Sequence, residues 1–209
     1  MSVAGIGTSP DGSVERSIQS DRIPLDPIAL LSSWLPSDDD PARPVATLAT
    51  VHADGGPNAR TVLLSSFTEG RAAFHVDSTS TKARELDERP LAALVLFWPE
   101  LARQVVLRGV VLRVTTEEDR LAYARRSRYL QLLAWLNTPS FAGASRSERE
   151  SSWSAFDAQH PLLSPPPTWA GYELVPNSIV FWEGSATAAS RRAYYTRGAK
   201  RWTVEVLPG

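Results

Sequence analysis

The sequence predicts an α+β protein in which short strands close into a β-barrel and helices lie between and after them. Two observations lead to this prediction. Runs of β-branched and aliphatic residues recur along the chain and end at turn residues such as Thr68-Glu69-Gly70. Segments with apolar residues at helical spacing separate these runs and follow them. Because no internal repeat or shift in composition divides the 209 residues, they are expected to form one domain with a substantial core.

The first 76 residues of the chain are predicted to contain a tail, a helix and three strands. Residues 1–22 are rich in Gly, Ser and Asp and have no apolar period, so a disordered tail is expected before a folded domain of residues 23–209. Asp26 and Pro27 are typical of a helix start, and the polar loop that follows contains Asp38-Asp39-Asp40. The predicted strands cover residues 45–52, 58–66 and 72–76, and the last two form a hairpin.

The rest of the chain is predicted to contain one helix, two strands, three helices and two closing strands, in that order. A helix is expected after the hydroxyl-rich run Ser78-Thr79-Ser80, and Gly109 in a later strand is interpreted as a possible β-bulge. Residues 162–168 are proline-rich and are expected to be extended. The strands predicted in this part are residues 91–98, 103–115, 171–182 and 199–207, and the helices are residues 119–127, 129–136 and 145–159.

The composition is that of an ordinary globular protein and excludes several classes of function. The formal net charge of −1 gives no field that would favour nucleic acid or an anionic membrane. The chain has no cysteine, which excludes disulfides, thiolate catalysis and cysteine-bound metal. His52, His75 and His160 are too widely spaced for a metal-ligand pattern. Without an apolar signal core or a membrane-length apolar run, a cytoplasmic protein is expected.

A candidate anion site lies within residues 58–82. Arg60 is carried on a predicted strand, whereas Ser80 and Lys82 stand at a predicted helix start, where backbone N–H groups point outward. A guanidinium, an ammonium and a helix start together suit a phosphate group. The alternative interpretation is a simple helix cap beside a solvated arginine. The chain has no G-x-S-x-G, G-x-G-x-x-G or Walker motif, so a bound cofactor is expected to supply any chemistry.

Several motifs in order resemble the pyridoxamine 5′-phosphate oxidase family. They are R-x-V-L-L from Arg60, F-x-x-x-S-x-S-x-K-x-R-E-L from Phe74, F-W-P-E-L-x-R-Q-V from Phe97, P-P-x-W-x-G-Y-x-L-x-P from Pro166 and F-W-x-G from Phe181. The resemblance runs from about Asp26 to the C-terminus. It implies a split β-barrel that binds flavin mononucleotide (FMN) at the interface of a homodimer.

The resemblance also implies which residues bind FMN. Arg60 and Lys82 match phosphate ligands, Val62 and Leu63 flank the isoalloxazine ring, and Gln104 matches a glutamine from the partner subunit. Trp182 and Arg192 match a ring-edge pair, and Ser140 matches a loop that reaches the flavin. The other positions in the cofactor motifs are Thr61, His75, Val76, Ser80 and Thr81. The family usually has Tyr-Thr at His75-Val76 and Arg at Thr81, so weaker phosphate binding is expected.

The positions that bind substrate in the family have changed much more. A Lys, Tyr, Arg and Ser grip the phosphate of the B6 vitamer, and here those positions are Ser65, Ala122 (beside Tyr123), Arg126 and Leu130. The family's R-x-H-D-R signature is replaced by a stretch that contains Ser190. Each lost charge-assisted hydrogen bond costs roughly 1.5–3 kcal/mol, so vitamer binding is expected to be weak.

The resulting hypothesis is an FMN-dependent oxidase or dehydrogenase that acts on a small cyclic or aromatic metabolite of specialised metabolism. No catalytic side chain is assigned, because the flavin would accept the hydride and oxygen would reoxidise it. Three alternatives stay open. They are a reductase of the same fold linked to a nicotinamide or deazaflavin, a non-enzymatic flavin-binding protein, and an authentic pyridoxamine 5′-phosphate oxidase.

Overall fold

The computed structural model describes residues 17–37 and 44–209. Within this part the chain forms two compact units. The first contains the described residues up to Phe74, together with Glu85–Leu112 and Glu173–Gly209, and the second contains His75–Arg84 and Arg113–Tyr172. The sequence alone had suggested a single domain. Residues 1–16 of the expected tail and the acidic loop Asp38-Asp39-Asp40 lie outside the described residues.

Eight strands form one antiparallel sheet in the order β3-β2-β1-β4-β5-β6-β7-β8, and the pairing of β3 with β6 closes the first six into a barrel. The closed barrel predicted from the sequence is therefore confirmed. The strands are β1 Val45–Val51, β2 Pro57–Thr68, β3 Arg71–Asp77, β4 Leu91–Trp98, β5 Arg103–Arg113, β6 Trp169–Glu183, β7 Arg191–Arg197 and β8 Trp202–Pro208.

Side chains cap most of the helices in the way the sequence suggests. The Asp26 carboxylate accepts hydrogen bonds from the backbone N–H groups of Ile28 and Ala29, and Thr115 and Ser145 each form a capping box. The described helices are α1 Pro27–Trp34, α2 Thr81–Glu88, α3 Thr116–Ala124, α4 Arg128–Leu136, α5 Pro139–Gly143 and α6 Arg146–Gln159, with a 3₁₀ turn at Pro99–Leu101. No helix in this part of the chain is long and apolar enough to span a membrane.

The core of the first unit lies on the inner faces of the strands. Leu94, Leu107 and Phe181 are fully buried, and they alternate along their strands with more exposed neighbours. The ring of Trp34 from α1 meets the ring of Phe181 edge-on, with their centroids 5.1 Å apart. Helix α1 therefore covers one end of this core.

The structure adds two features that the sequence did not predict. The strand β7 was not predicted, although Ala193 and Tyr195 on it are fully buried. An irregularity lies in β2, between Leu64 and Ser66. The pairing of β4 with β5 stays in regular register past Gly109, and the possible bulge at that residue otherwise stays a prediction.

The segment that precedes α1 also differs from the expected tail. Ile18 is fully buried, and its backbone N–H donates to the Glu183 carboxylate at 2.8 Å. Residues 17–20, which had been counted with the tail, are thus held against β6 and β7 by hydrogen bonds and by burial of an apolar side chain.

Candidate functional site

Arg60 lies at the centre of a polar network between β1, β2 and α2. Its guanidinium donates to Glu85 at 2.7 Å and also to the Thr50 hydroxyl. Thr50 and Asn58 donate to the same carboxylate at 2.5 and 2.8 Å. Glu85 is only 4% exposed, so these hydrogen bonds satisfy a charge that would otherwise be buried without compensation.

The network determines the charge state of Glu85. Burial on its own would raise the pKa of this carboxyl group, but the hydrogen bonds from Thr50, Asn58 and Arg60, together with the charge of Arg60, outweigh burial and lower the pKa. Glu85 is therefore ionised at neutral pH. Arg60, the predicted phosphate ligand, is held in place by this partner. Its guanidinium has five N–H donors and donates to three acceptors, which are Leu48 O, the Thr50 hydroxyl and Glu85, so within the described part of the chain two N–H groups remain for a ligand.

The turn before α2 belongs to the second unit and holds the other predicted phosphate ligands. The Asp77 carboxylate accepts from the backbone and hydroxyl of Thr79 at 2.7 and 2.6 Å. Ser80 donates its hydroxyl to the Asp77 carbonyl at 2.6 Å, and its own carbonyl accepts from the backbone N–H groups of Ala83 and Arg84. Lys82 is half-buried in the first turn of α2, and Thr81 before it is exposed.

Three predicted flavin residues of the first unit stand side by side across β5, β6 and β7. Trp182 pairs with Arg192 in the register of β6 and β7. The backbone N–H of Gly184 donates to the Ala102 carbonyl at 2.8 Å, which places Trp182 opposite Gln104 in the neighbouring strand. Cross-strand neighbours of one row point to the same face of a sheet. Gln104, Trp182 and Arg192, called the edge row below, therefore share one face.

The strand β2 presents its predicted flavin residues to both of its faces. Val62 is buried in the core, whereas Thr61 is exposed and Leu63 is half-buried on the opposite side of the strand. Ser65, a predicted substrate residue, is the extra residue of the irregularity between Leu64 and Ser66. A bulge of this kind re-aims a side chain out of the regular strand alternation.

In the second unit, His75 and Asp119 form a buried polar pair beside Trp169. His75 Nε2 and Asp119 Oδ1 lie 3.5 Å apart, and the two side chains are 3% and 14% exposed. The imidazole stacks on the Trp169 ring with a centroid separation of 5.0 Å. A Cβ atom on Gly171 would lie 2.4 Å from Asp119 Oδ1 and 2.8 Å from His75 Nε2, so the absence of a side chain there makes room for the pair.

The same environment sets the protonation of both groups. Burial, and to a lesser degree the charge of Arg126, lowers the pKa of His75 to about 3, so its imidazole is neutral near pH 7. Burial raises the pKa of Asp119, against the charge of Arg113 and a hydrogen bond from the Gly171 backbone. Arg126, a predicted substrate residue, lies over Trp169 with its Cζ 4.5 Å from the ring centroid.

The remaining predicted residues occupy varied positions. Tyr123 is 1% exposed and its hydroxyl donates to the Gln131 carbonyl at 3.1 Å, so it is packed in the core, and its substrate contact stays a prediction. Val76 is buried and Leu130 is half-buried on α4. Ser140 is exposed on α5 beside the Thr138 hydroxyl, and Ser190 is half-buried just before β7.

Four polar or aromatic residues around these positions were not identified from the sequence. Glu85 stands in the R-E-L motif, three residues after Lys82, and Glu183 follows Trp182 directly, so motif neighbours were the available signal. Trp169 belongs to the motif that begins at Pro166, which was its available signal, whereas Asp119 carried none. In the described part of the chain, no group of three or more His, Asp or Glu side chains is placed to hold a metal.

Known protein families match the chain over most of its length. A model for pyridoxamine 5′-phosphate oxidase matches residues 41–159, and a model for the C-terminal dimerisation region of pyridoxine 5′-phosphate oxidase matches residues 169–208. A pyridoxine/pyridoxamine 5′-phosphate oxidase of Acaryochloris marina is 32% identical over 198 residues, covering 92% of this chain and 90% of the relative. A relative of the same name from Frankia alni is 39% identical over 172 residues, covering 80% and 71%.

Solved structures give the same assignment of fold. PhzG from Burkholderia lata, determined in complex with tetrahydrophenazine-1-carboxylic acid, superposes with a TM-score of 0.78 and 28% identity over 90% of this chain and 95% of PhzG. An FMN-binding protein related to pyridoxamine 5′-phosphate oxidase from Nostoc punctiforme superposes with a TM-score of 0.64 and 20% identity, covering 79% of this chain and 88% of that protein. The predicted split barrel of this family is confirmed by these similarities.

Proposed function

The chain belongs to the pyridoxamine 5′-phosphate oxidase family, and on this premise we propose that it is an FMN-dependent oxidoreductase acting on a small cyclic or aromatic metabolite of specialised metabolism. One observation carries the proposal. The edge row of Gln104, Trp182 and Arg192 is intact, whereas the positions that grip the vitamer phosphate in the family include Ser65 and Leu130 here.

The chemistry of the edge row fits a flavin ring. The Trp182 indole is flat and largely apolar, the Gln104 amide donates and accepts hydrogen bonds, and the Arg192 guanidinium is a permanent cation. Arg192 is exposed and Gln104 and Trp182 are half-buried, so the row is accessible to a ligand. Such a set suits a heterocycle whose edge carries carbonyl and ring-nitrogen atoms.

The protein's part in the reaction would be binding and electrostatics. When bound, FMN supplies the group that accepts two electrons from the substrate. Gln104 and Arg192 would orient the ring edge and stabilise negative charge there, because preorganised donors are worth more in a partly dry site. Trp182 would exclude water from one side of the ring. No other side chain is required as a general base in this proposal.

We assign the FMN phosphate to Arg60 and Lys82 by the family motif, and substitution tests this assignment. Arg60 is positioned by Glu85, so its guanidinium loses little rotamer freedom on binding. Replacing Lys82 with Met should weaken FMN binding roughly 10-fold or more, which corresponds to the loss of one charge-assisted hydrogen bond. Equal FMN affinity in the variant would remove Lys82 from the assignment.

The substrate proposal follows from two of the positions that correspond to the family's phosphate grip, Leu130 and Arg126. Leu130 adds apolar surface on α4, and the Arg126 guanidinium lies over the Trp169 ring. A guanidinium on an indole presents a planar cationic face that suits an aromatic carboxylic acid. The similarity to PhzG, whose structure contains a reduced tricyclic carboxylic acid, supports the same substrate class.

The second candidate is authentic pyridoxamine 5′-phosphate oxidase activity. It is favoured by the names of the relatives that are 32% to 39% identical. The two candidates differ in the ligand that the altered positions must hold. A vitamer phosphate is a dianion that needs several cationic or hydroxyl donors, and of the four positions of the family's phosphate grip only Arg126 retains the cation.

One preparation tests both candidates. The purified protein is titrated with FMN while flavin fluorescence quenching is followed, and mass spectrometry identifies any ligand that co-purifies. Oxygen uptake is then measured with tetrahydrophenazine-1-carboxylic acid and, separately, with pyridoxamine 5′-phosphate. We expect FMN binding and turnover of the tricyclic acid at least 10-fold faster than turnover of the vitamer. Absence of FMN binding would refute the proposal, and faster turnover of the vitamer would establish the second candidate.

A further inference from the structure

The ends of three strands in the first unit meet around one buried carboxylate. Glu183 is the last residue of β6, Arg103 is the first of β5 and Arg191 is the first of β7. Arg103 donates to Glu183 Oε1 from two nitrogens, at 2.9 and 2.8 Å, and its Cζ lies 4.4 Å from the centroid of the Trp34 ring. Because Glu183 is 7% exposed, this two-point ion pair is shielded from bulk water.

The same carboxylate also binds Ser17 and Ile18, and its neighbours bind the next two residues of the N-terminal segment. Ser17 Oγ and the Ile18 backbone N–H donate to Glu183 Oε2 at 2.8 Å each. Gln19 donates its side-chain amide to the Glu183 backbone carbonyl at 2.7 Å. Arg191 donates to the backbone carbonyl of Ser20 at 2.9 Å. Glu183 thus accepts hydrogen bonds both from Arg103 at the start of β5 and from the N-terminal segment, which is distant in sequence.

The edge row lies on the opposite face of the same three strand ends. Each of its members, Gln104, Trp182 and Arg192, is the sequence neighbour of a residue in the Glu183 network. Neighbouring residues of a strand point to opposite faces, and strand ends open more readily than strand centres unless side chains hold them. Because the Glu183 network holds the three strand ends from one face, it also fixes the edge row on the other face.

We propose that Glu183 is a positioning residue. It fixes the edge row in the geometry that receives the flavin ring, and it holds residues 17–20 against the ends of β6 and β7. This inference rests on the proposed FMN site. Replacing Glu183 with Gln keeps the volume of the side chain but removes its charge. Arg103 then loses its counter-ion. The N–H₂ group of the new glutamine faces other donors, either those of Arg103 or the backbone N–H of Ile18, so hydrogen bonds are lost there.

The test compares Glu183→Gln with the matched control Glu173→Gln. Glu173 lies on the same strand and pairs at the surface with Arg71 at 3.0 Å. The measurements are FMN dissociation constant, visible circular dichroism of the bound flavin, and hydrogen exchange of residues 17–20. We expect Glu183→Gln to weaken FMN binding at least 10-fold, to alter the flavin dichroism and to speed exchange in residues 17–20. We expect Glu173→Gln to leave all three unchanged.

A second comparison separates positioning from general loss of stability. Ile179→Val lowers stability from a fully buried position on β6 without touching the Glu183 network. Its flavin dichroism should match that of the wild type, and an equal change in both variants would overturn the proposal. If Glu183→Gln does not fold, Ser17→Ala combined with Gln19→Ala removes two of the hydrogen bonds and is expected to show smaller changes of the same kind.

The outcomes also distinguish this proposal from the proposed function. If wild-type protein binds FMN and Glu183→Gln behaves like Glu173→Gln, the positioning role is wrong and the FMN site stands. If wild-type protein binds no FMN, both the proposed function and the positioning role are wrong.

Discussion

The imidazole of His75 is kept neutral by burial and by the nearby charge of Arg126. In an unfolded chain the same imidazole titrates near its ordinary pKa of about 6.5. The folded pKa is therefore lower than the unfolded one. As pH falls from about 6.5 towards 3, the unfolded state takes up a proton that the folded state does not, so stability decreases with falling pH across this window.

A His75→Phe variant tests this dependence. Phe keeps a flat ring beside Trp169 and cannot titrate, so the variant should lose stability more slowly than wild type between pH 6.5 and 5. The slopes of unfolding free energy against pH should differ by about 1 kcal/mol per pH unit, and one titrating group sets an upper limit of about 1.4 kcal/mol per pH unit. Urea denaturation at half-unit steps of pH measures both slopes. In parallel, the His75 ring resonances should stay constant from pH 8 to pH 5, and a midpoint near 6.5 would contradict the low pKa.

Single residues also show how far sequence reasoning about the site reaches. The members of the edge row were identified because motifs spaced along the chain matched a family pattern, and their strand register then placed them side by side. Glu85 and Glu183 were not identified, because their partners Arg60 and Arg103 are 25 and 80 positions away. An ion pair between distant positions leaves no periodic pattern in a single sequence. The burial of Tyr123 was not foreseen for a related reason, since it depends on tertiary packing.

At the scale of elements, the approach of β5 to β6 explains why residue 109 is glycine. A Cβ atom built on Gly109 would lie 2.0 Å from the Val175 carbonyl oxygen and 2.8 Å from the Pro176 Cα. Both contacts are with backbone atoms of β6, which a small rotation of a side chain cannot relieve. The two strands are adjacent in the barrel, so relief would require them to separate locally.

A Gly109→Ala substitution should therefore destabilise the protein by about 2–4 kcal/mol. Gly143→Ala is the matched control, because a Cβ atom there meets nothing within 4 Å and Ala is the better helix former. Thermal and urea denaturation of the two variants measure the difference. A Gly109→Ala variant as stable as the control would show that β5 and β6 are farther apart in solution than described.

The elements also differ in how far the sequence specifies them. β4, Leu91–Trp98, has the predicted bounds, because a continuous apolar run between a proline and a turn has few alternative structures. β7 was missed because arginines at both ends of Arg191–Arg197 obscure its short alternation. The bulge at Ser65 depends on how β2 pairs with β3, and register is a property of two strands and not of either one alone.

At the scale of the whole molecule, the chain is expected to act as a homodimer. The match of residues 169–208 to a dimerisation region of the family supports this expectation. A two-fold dimer presents the same surface from each subunit. If the FMN site combines Arg60 of one protomer with Gln104 of its partner, as the family resemblance implies, then neither protomer alone has a complete site.

Subunit mixing tests this arrangement. Arg60→Gln, which keeps a donor for Glu85, and Gln104→Ala should each lose most FMN binding as homodimers. Co-expression of the two variants in equal amounts gives about one half heterodimers. If each site combines Arg60 of one protomer with Gln104 of its partner, every heterodimer has one site in which both residues are native. FMN binding should then return to about one quarter of the wild-type stoichiometry, as measured by flavin absorbance after gel filtration. If Arg60 and Gln104 of one protomer serve the same flavin, every site in the mixture has at least one defect and no binding returns.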